Sequence, residues 1–142
     1  MSKNKKVALI LLLLLIIAAA FYFFYWRKKT ASIPFSLQGQ TIISQGEIKL
    51  NIWDNNTEDG DSVKVYLDNK LIRDTVALRY EPLQLNFGKL SKGEHILTVA
   101  AINEGITPPA SATLSISNET EKSEFEMDAT KDSAAAWKIF IK

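Results

Sequence analysis

Between Asp54 and Asp61 the chain crowds oxygen-donor side chains into one short stretch, with Asp54, Asn56, Glu58, Asp59 and Asp61 as the candidate ligands. Carboxylates and amides at this density suit a hard cation such as Ca²⁺, which is held by oxygen alone. The EF-hand register is not met. Counted from Asp54, the glycine falls seventh instead of sixth; counted from Asn55, the twelfth residue is Tyr66, which cannot be a bidentate ligand. The competing reading is an Asx-rich turn, with Asp59-Gly60 making a tight reversal and Asp61 capping the entry to the next strand. A glycosidase pair needs two carboxyls facing each other across a lined cleft, and two acids in one loop do not define one.

The single histidine, His95, sits in phase with Leu97 and Val99 just after a turn. That spacing predicts a strand-end histidine with a hydrogen-bonded ring rather than a catalytic base. Trp53, Tyr66, Tyr80 and Trp137 could stack on sugars, Trp53 being the candidate ligand aromatic; packing in a core or at its rim competes with that role. No cysteine is present, which removes disulfides, thiolate metal sites and cysteine nucleophiles. The chain also has no glycine-rich phosphate loop, no H-E-x-x-H and no G-x-S-x-G. No cofactor is expected beyond Ca²⁺ at the acidic loop.

The elements that must position these residues alternate with a period of two. Residues 33–43 look extended, with Pro34 suiting an edge. Ile48, Leu50 and Ile52 share one face of the next run, and Val63, Val65 and Leu67 one face of the run after the acidic loop. Asp68-Asn69 is a two-residue hairpin signal. Further alternation covers Val76–Tyr80, Leu83–Phe87, His95–Ile102, Ala112–Ile116 and Trp137–Ile141. The His95–Ile102 run is apolar on both faces and predicts a central strand. Glu119–Glu126 reads as acidic and exposed. Seven to nine short strands with no helical period after residue 30 predict an all-β, antiparallel, immunoglobulin-like β-sandwich.

Ahead of these strands, Val7 to Trp26 reads VALILLLLLIIAAAFYFFYW, without charge, Pro or Gly. A helix of that length covers about 30 Å, a bilayer hydrocarbon core. Lys5 and Lys6 precede it; Tyr25 and Trp26 followed by Arg27, Lys28 and Lys29 mark a membrane–water boundary. The alternative is a cleavable signal peptide with its small-residue site at Ala18–Ala20. Cleavage there would leave FYFFYW as an exposed aromatic terminus, so the retained anchor is the reading adopted. Three basic side chains lie on each side, so charge does not orient the helix. The N-terminus is placed in the cytoplasm because the working domain follows the helix. The division expected is a basic head (1–6), a transmembrane helix (7–26), a juxtamembrane segment with the first strand (27–44) and a β-sandwich domain (45–142).

Six of the 17 basic residues flank the apolar run, and the other 11 face all 16 acids, so residues 30–142 carry a net charge of −5. That sign argues against nucleic acid and against a domain lying flat on anionic lipid.

Two stretches carry a resemblance. Trp53–Val63 (WDNNTEDGDSV), followed by Tyr66-Leu67-Asp68-Asn69-Lys70, resembles a D-N-x-x-x-D-G-D-x-V-x-x-x-x-N-G pattern. Ala101–Pro109 (AINEGITPP) running into Ala112–Ile116 resembles an A-x-x-x-G-x-x-P-P-N-T-A segment. Both patterns belong to small exported β-sandwich modules of Bacteroidota-type envelope proteins and lipoproteins. The tail Ser133–Phe140 is similar to their closing strand, and Gly93–Val99 looks like the G-x-H-x-L-x-V strand of bacterial immunoglobulin-like domains. The chain departs from the pattern at Lys70, where glycine is usual, and at Ala110-Ser111, where Asn-Thr is usual. The resemblance covers residues 45–142 and implies an exported, all-β, non-enzymatic module. Together these readings lead to the expectation of a single-pass protein of the cytoplasmic membrane with a periplasmic domain, an accessory subunit of a larger membrane complex. The alternative is a carbohydrate- or ligand-binding module, with calcium as its candidate stabilising ion.

Overall fold

The computed structural model describes residues 3–27 and 33–142, in two units, Met1–Ser32 and Ile33–Lys142. The first holds one helix, α1 (Lys3–Arg27). Its stretch Lys5–Tyr25 is long and apolar enough to cross a membrane. Its apolar side chains point outward on every side, from Val7 to Tyr25, as expected of a helix whose natural surroundings are apolar. Lys28 and Lys29 of the expected basic flank lie outside the described residues, as do the side chains of Trp26 and Arg27.

The second unit has nine strands: β1 (Phe35–Ile43), β2 (Glu47–Trp53), β3 (Ser62–Leu67), β4 (Lys70–Ala77), β5 (Leu83–Lys89), β6 (Gly93–Asn103), β7 (Ala110–Ser117), β8 (Lys122–Ala129) and β9 (Ala134–Ile141). They form a five-stranded sheet, β1-β9-β6-β3-β4, and a four-stranded sheet, β5-β2-β7-β8. The alternation read from sequence dictates which side chains turn inward. Ile48, Leu50, Ile52, Leu114 and Ile116 from one sheet and Val63, Val65, Leu97, Val99 and Ile139 from the other join one buried cluster. Sheets of this size become stable only by burying such a face. The β3–β4 turn is the hairpin foreseen at Asp68-Asn69, whose φ values of 50° and 64° are the left-handed pair a two-residue turn requires.

Three expectations need correction. First, the pairing is not wholly antiparallel: six of the seven strand pairings are, but β1 runs parallel to β9 from Phe35↔Ala134 to Ile43↔Ile141. Second, the acidic stretch ending at Glu126 is not simply an exposed loop. β8 occupies most of it, pairing with β7 along its length and burying Phe125, Met127 and Ala129 in alternation with exposed Glu124, Glu126 and Asp128. The period of two was present there, hidden by the acids on the outward face. Third, the Val76–Tyr80 alternation outruns its strand, β4, which ends at Ala77.

The parallel β1–β9 pair carries a bulge at Gln38, where the register passes from Leu37↔Ala136 to Gly39↔Trp137. The extra residue ties the edges of the two sheets together. Gln38 Nε2 donates to Asp128 O at 2.7 Å, and Asp128 N–H donates to Gln38 Oε1 at 2.9 Å. Lower on the same seam, Ser44 N–H and Oγ donate to the two Glu121 carboxylate oxygens at 2.7 and 2.9 Å. Beside the bulge Trp137 turns inward and stacks on Phe125, with ring centroids 4.1 Å apart. Gly39 has no Cβ because a Cβ there would lie 2.3 Å from the indole.

Candidate functional site

The site grows from the two loops that join the sheets at one end. The first, 54–61, links β2 to β3. Asp54 starts it as an Asx turn, its Oδ1 accepting the N–H groups of Asn56 at 2.7 Å and Thr57 at 3.0 Å. Gly60, at φ 98°, reverses the chain where Asp59-Gly60 was expected to do so. The second loop, 104–109, links β6 to β7. Asn103 Oδ1 accepts the Gly105 N–H at 3.1 Å, and the Pro108–Pro109 peptide is cis.

Asp59 joins the two loops. Its Oδ2 accepts the N–H groups of Ile106 at 2.9 Å and Thr107 at 2.7 Å. Its Oδ1 has no hydrogen-bond partner, and neither has Oδ1 of Asp61. Both oxygens crowd Gly105: a Cβ on that glycine would lie 2.0 Å from one and 2.1 Å from the other, so the two are no more than 4.1 Å apart. Gly105 has φ 65°, and a side chain there would be strained by the backbone and blocked by the carboxyls. Asp61 is 5% exposed and Asp54 3%. Together Asp54, Asp59, Asp61, Thr57, Thr107 and Ser111 line much of a cleft of about 220 Å³.

The electrostatics follow from this crowding. Burial, then the Asp59 carboxylate beside it, push the Asp61 carboxyl up to about 6. Asp59 moves the other way: the Asp61 carboxyl, then the Thr107 and Ile106 amides, hold it below its ordinary value. One proton or one cation between the two oxygens would satisfy both.

Of the five acidic-loop candidates, the structure therefore brings Asp59 and Asp61 into contact and sets Asp54 and Asn56 on the same cleft wall. Glu58 turns away, its Oε1 accepting the Tyr80 N–H. Among the described residues no three His, Cys, Asp or Glu side chains converge on one metal position. Thr107, Ser111 and Gly105 were not singled out from sequence. Gly105 and the two prolines stood in the Ala101–Pro109 stretch that carries the resemblance, with nothing local to say that it closes over Asp59.

Trp53 lies elsewhere. It shares the outward side of β2 with Lys49 and Asn51, pairs in register with Thr113, and is half-buried. It does not line the cleft. His95 has the hydrogen-bonded ring its position predicted: Nδ1 is 2.6 Å from Asp68 Oδ2 and Nε2 is 2.8 Å from Ser91 O. A carboxylate on one side and a carbonyl on the other are both satisfied only when both ring nitrogens donate. Burial of the ring opposes that charge, but the Asp68 carboxylate and the Ser91 carbonyl outweigh it and raise the His95 pKa. Ser91 Oγ lies 3.4 Å from Nε2, yet a doubly protonated ring has no lone pair with which to take its proton. His95 is thus a clamp between the β3–β4 and β5–β6 turns. Set beside known protein families, curated proteins and solved structures, the chain matches none.

Proposed function

We propose that this chain is a non-enzymatic, single-pass membrane protein of the bacterial envelope, and that its two sheets form an immunoglobulin-like sandwich acting as an interaction or assembly subunit of a larger membrane complex. In this reading the N-terminus is cytoplasmic, α1 spans the inner membrane, and the β unit works on the periplasmic side. The likeness of residues 45–142 to exported envelope modules agrees with it.

The observation that carries the proposal is the outward face of the five-stranded sheet. Between the core positions, one row crosses all five strands: Leu37, Ala136, Thr98, Tyr66 and Leu71 are successive partners in register. Leu37 is 51% exposed and Leu71 44%, at opposite ends of the row. Ala136 and Thr98 lie low between them. Phe35 and Ile102 add apolar surface on the same side. Folding gives no reason for large apolar side chains on this face, because the core lies behind it. A protein partner does. With α1 as the anchor, that partner is another protein of the same membrane.

Extraction of the full-length chain in mild detergent should bring down a stoichiometric membrane partner, and a chain starting at Thr30 should retain it more weakly. A clean monomer from both would overturn the proposal. The second reading is glycan binding, favoured by Trp53 standing beside Asn51 on an otherwise polar face. Trp53→Ala should then abolish retention on envelope polysaccharide, and unchanged or absent retention would remove that reading.

A further inference from the structure

The Asp59–Asp61 contact does not depend on what the β unit docks against. Among the described residues only three buried side-chain polar atoms lack a hydrogen-bond partner, and two of them are the facing Oδ1 atoms of this pair. An orphaned acceptor at such a position leaves a desolvation cost uncompensated. Two orphaned acceptors within 4.1 Å of each other add mutual repulsion.

Charge balance sharpens the point. Asp54, Asp59 and Asp61 share one cleft wall. Among the described residues no lysine, arginine or histidine forms an ion pair with any of them; the ion pairs lie at Asp68, Asp74, Glu94, Glu121 and Glu124. Every other polar group on the cleft wall offers oxygen or amide donors, from Thr57, Thr107, Ser111 and Asn56. Sulfur is absent from the chain's polar chemistry and the one histidine is committed to Asp68. An all-oxygen set excludes the preferences of zinc and copper and fits a hard cation.

We propose that Asp59 and Asp61 bind a hard divalent cation of the Ca²⁺ kind, which locks the 54–61 loop to the 104–109 loop. The two carboxylates are the charged ligands, and hydroxyls, carbonyls and water complete the shell. Asp59 is held for this role by the Ile106 and Thr107 amides, which occupy its other oxygen. Gly105 closes over the pair, both Oδ1 atoms are buried, and the two aspartates stand in the cleft wall. With only two carboxylates, affinity falls in the range of extracellular modules, on the order of 10⁻⁴–10⁻³ M. Mg²⁺, which demands near-ideal octahedral geometry and gives up water reluctantly, binds more weakly.

The test uses the full chain in detergent, stripped with a chelator and titrated with CaCl₂ at constant ionic strength. Calorimetry should give one saturable site, and about 10 mM Ca²⁺ should raise the unfolding midpoint by about 5–10 °C. Asp61→Asn and Asp59→Asn each remove one charged ligand and the repulsion with it. Each should lose the calcium response while unfolding at or above the midpoint of the calcium-free wild type. If either does not fold, the other carries the comparison. No saturable Ca²⁺ binding by the wild type, or a response retained in the folded variants, overturns the proposal; the first result leaves a shared proton as the occupant.

Discussion

The outer faces of the two sheets differ although their inner faces do the same work. On the four-stranded sheet, the row Gln84, Asn51, Ser115, Glu124 crosses all four strands in register. Gln84 Nε2 donates to Asn51 Oδ1 at 3.2 Å, and Asn51 Nδ2 donates to Ser115 Oγ at 3.3 Å. Water can continue such a row at either end. The row on the five-stranded sheet, Leu37 to Leu71, has only the Tyr66 hydroxyl to offer water, because Thr98 is buried. Core burial constrains one side of every strand, so the other side is free to record a different demand. On one sheet that demand is solvation. On the other, under the proposed function, it is contact.

The largest expected effect tests whether the two inner faces are equivalent. Leu97→Ala in β6 and Leu114→Ala in β7, both fully buried, should each lower unfolding free energy by about 2–5 kcal/mol in denaturant titration. A cost under about 1 kcal/mol for either would break the view of one shared core. Next comes the seam between the sheets. Gly39→Val drives a side chain into the Trp137 indole and should cost about 1–3 kcal/mol, with loss of near-ultraviolet tryptophan ellipticity. The outer faces themselves are compared by charge. The double change Leu37→Asp with Leu71→Asp should weaken partner retention about tenfold or more while moving stability by less than about 1 kcal/mol. Asn51→Asp on the polar face should change neither, and equal effects from both faces would remove the distinction.

The smallest effect concerns the His95 clamp on the five-stranded sheet. Its pKa is raised above the ordinary 6.5, so its stabilising contribution is complete below about pH 6.5 and is lost as pH rises through the folded value. Asp68 is half exposed, and solvent screening limits the contribution to about 0.5–1 kcal/mol. Unfolding measured from about pH 6.5 to 8.5 should show a decline that Asp68→Asn flattens.

Much of the architecture was legible because strand alternation is local. Ile48, Leu50 and Ile52 announce their face within five residues, and Asp68-Asn69 announces its turn within two. β6 was expected to be central because both its faces are apolar, and it is the middle strand of its sheet. The reason proved partly different, since its outward side belongs to the exposed apolar face rather than to a second covered one. β8 was missed because Glu124, Glu126 and Asp128 mask the inward series Phe125, Met127, Ala129 when charge is weighed before period. At the acidic loop, local spacing named the turn at Asp59-Gly60, but nothing local could choose the Asp59–Asp61 pair.

The sequence alone determined an apolar helix of membrane length, a chain of short strands after it, and the residues that one core would claim. Each of these is a property of neighbours within about ten positions, where periodicity and side-chain chemistry act directly. Only the tertiary structure decided that β1 lies parallel to β9, almost a hundred residues away, and that Gly105 comes down on Asp59 and Asp61. Contacts between distant segments are settled by which buried faces fit together, and no local pattern encodes that fit.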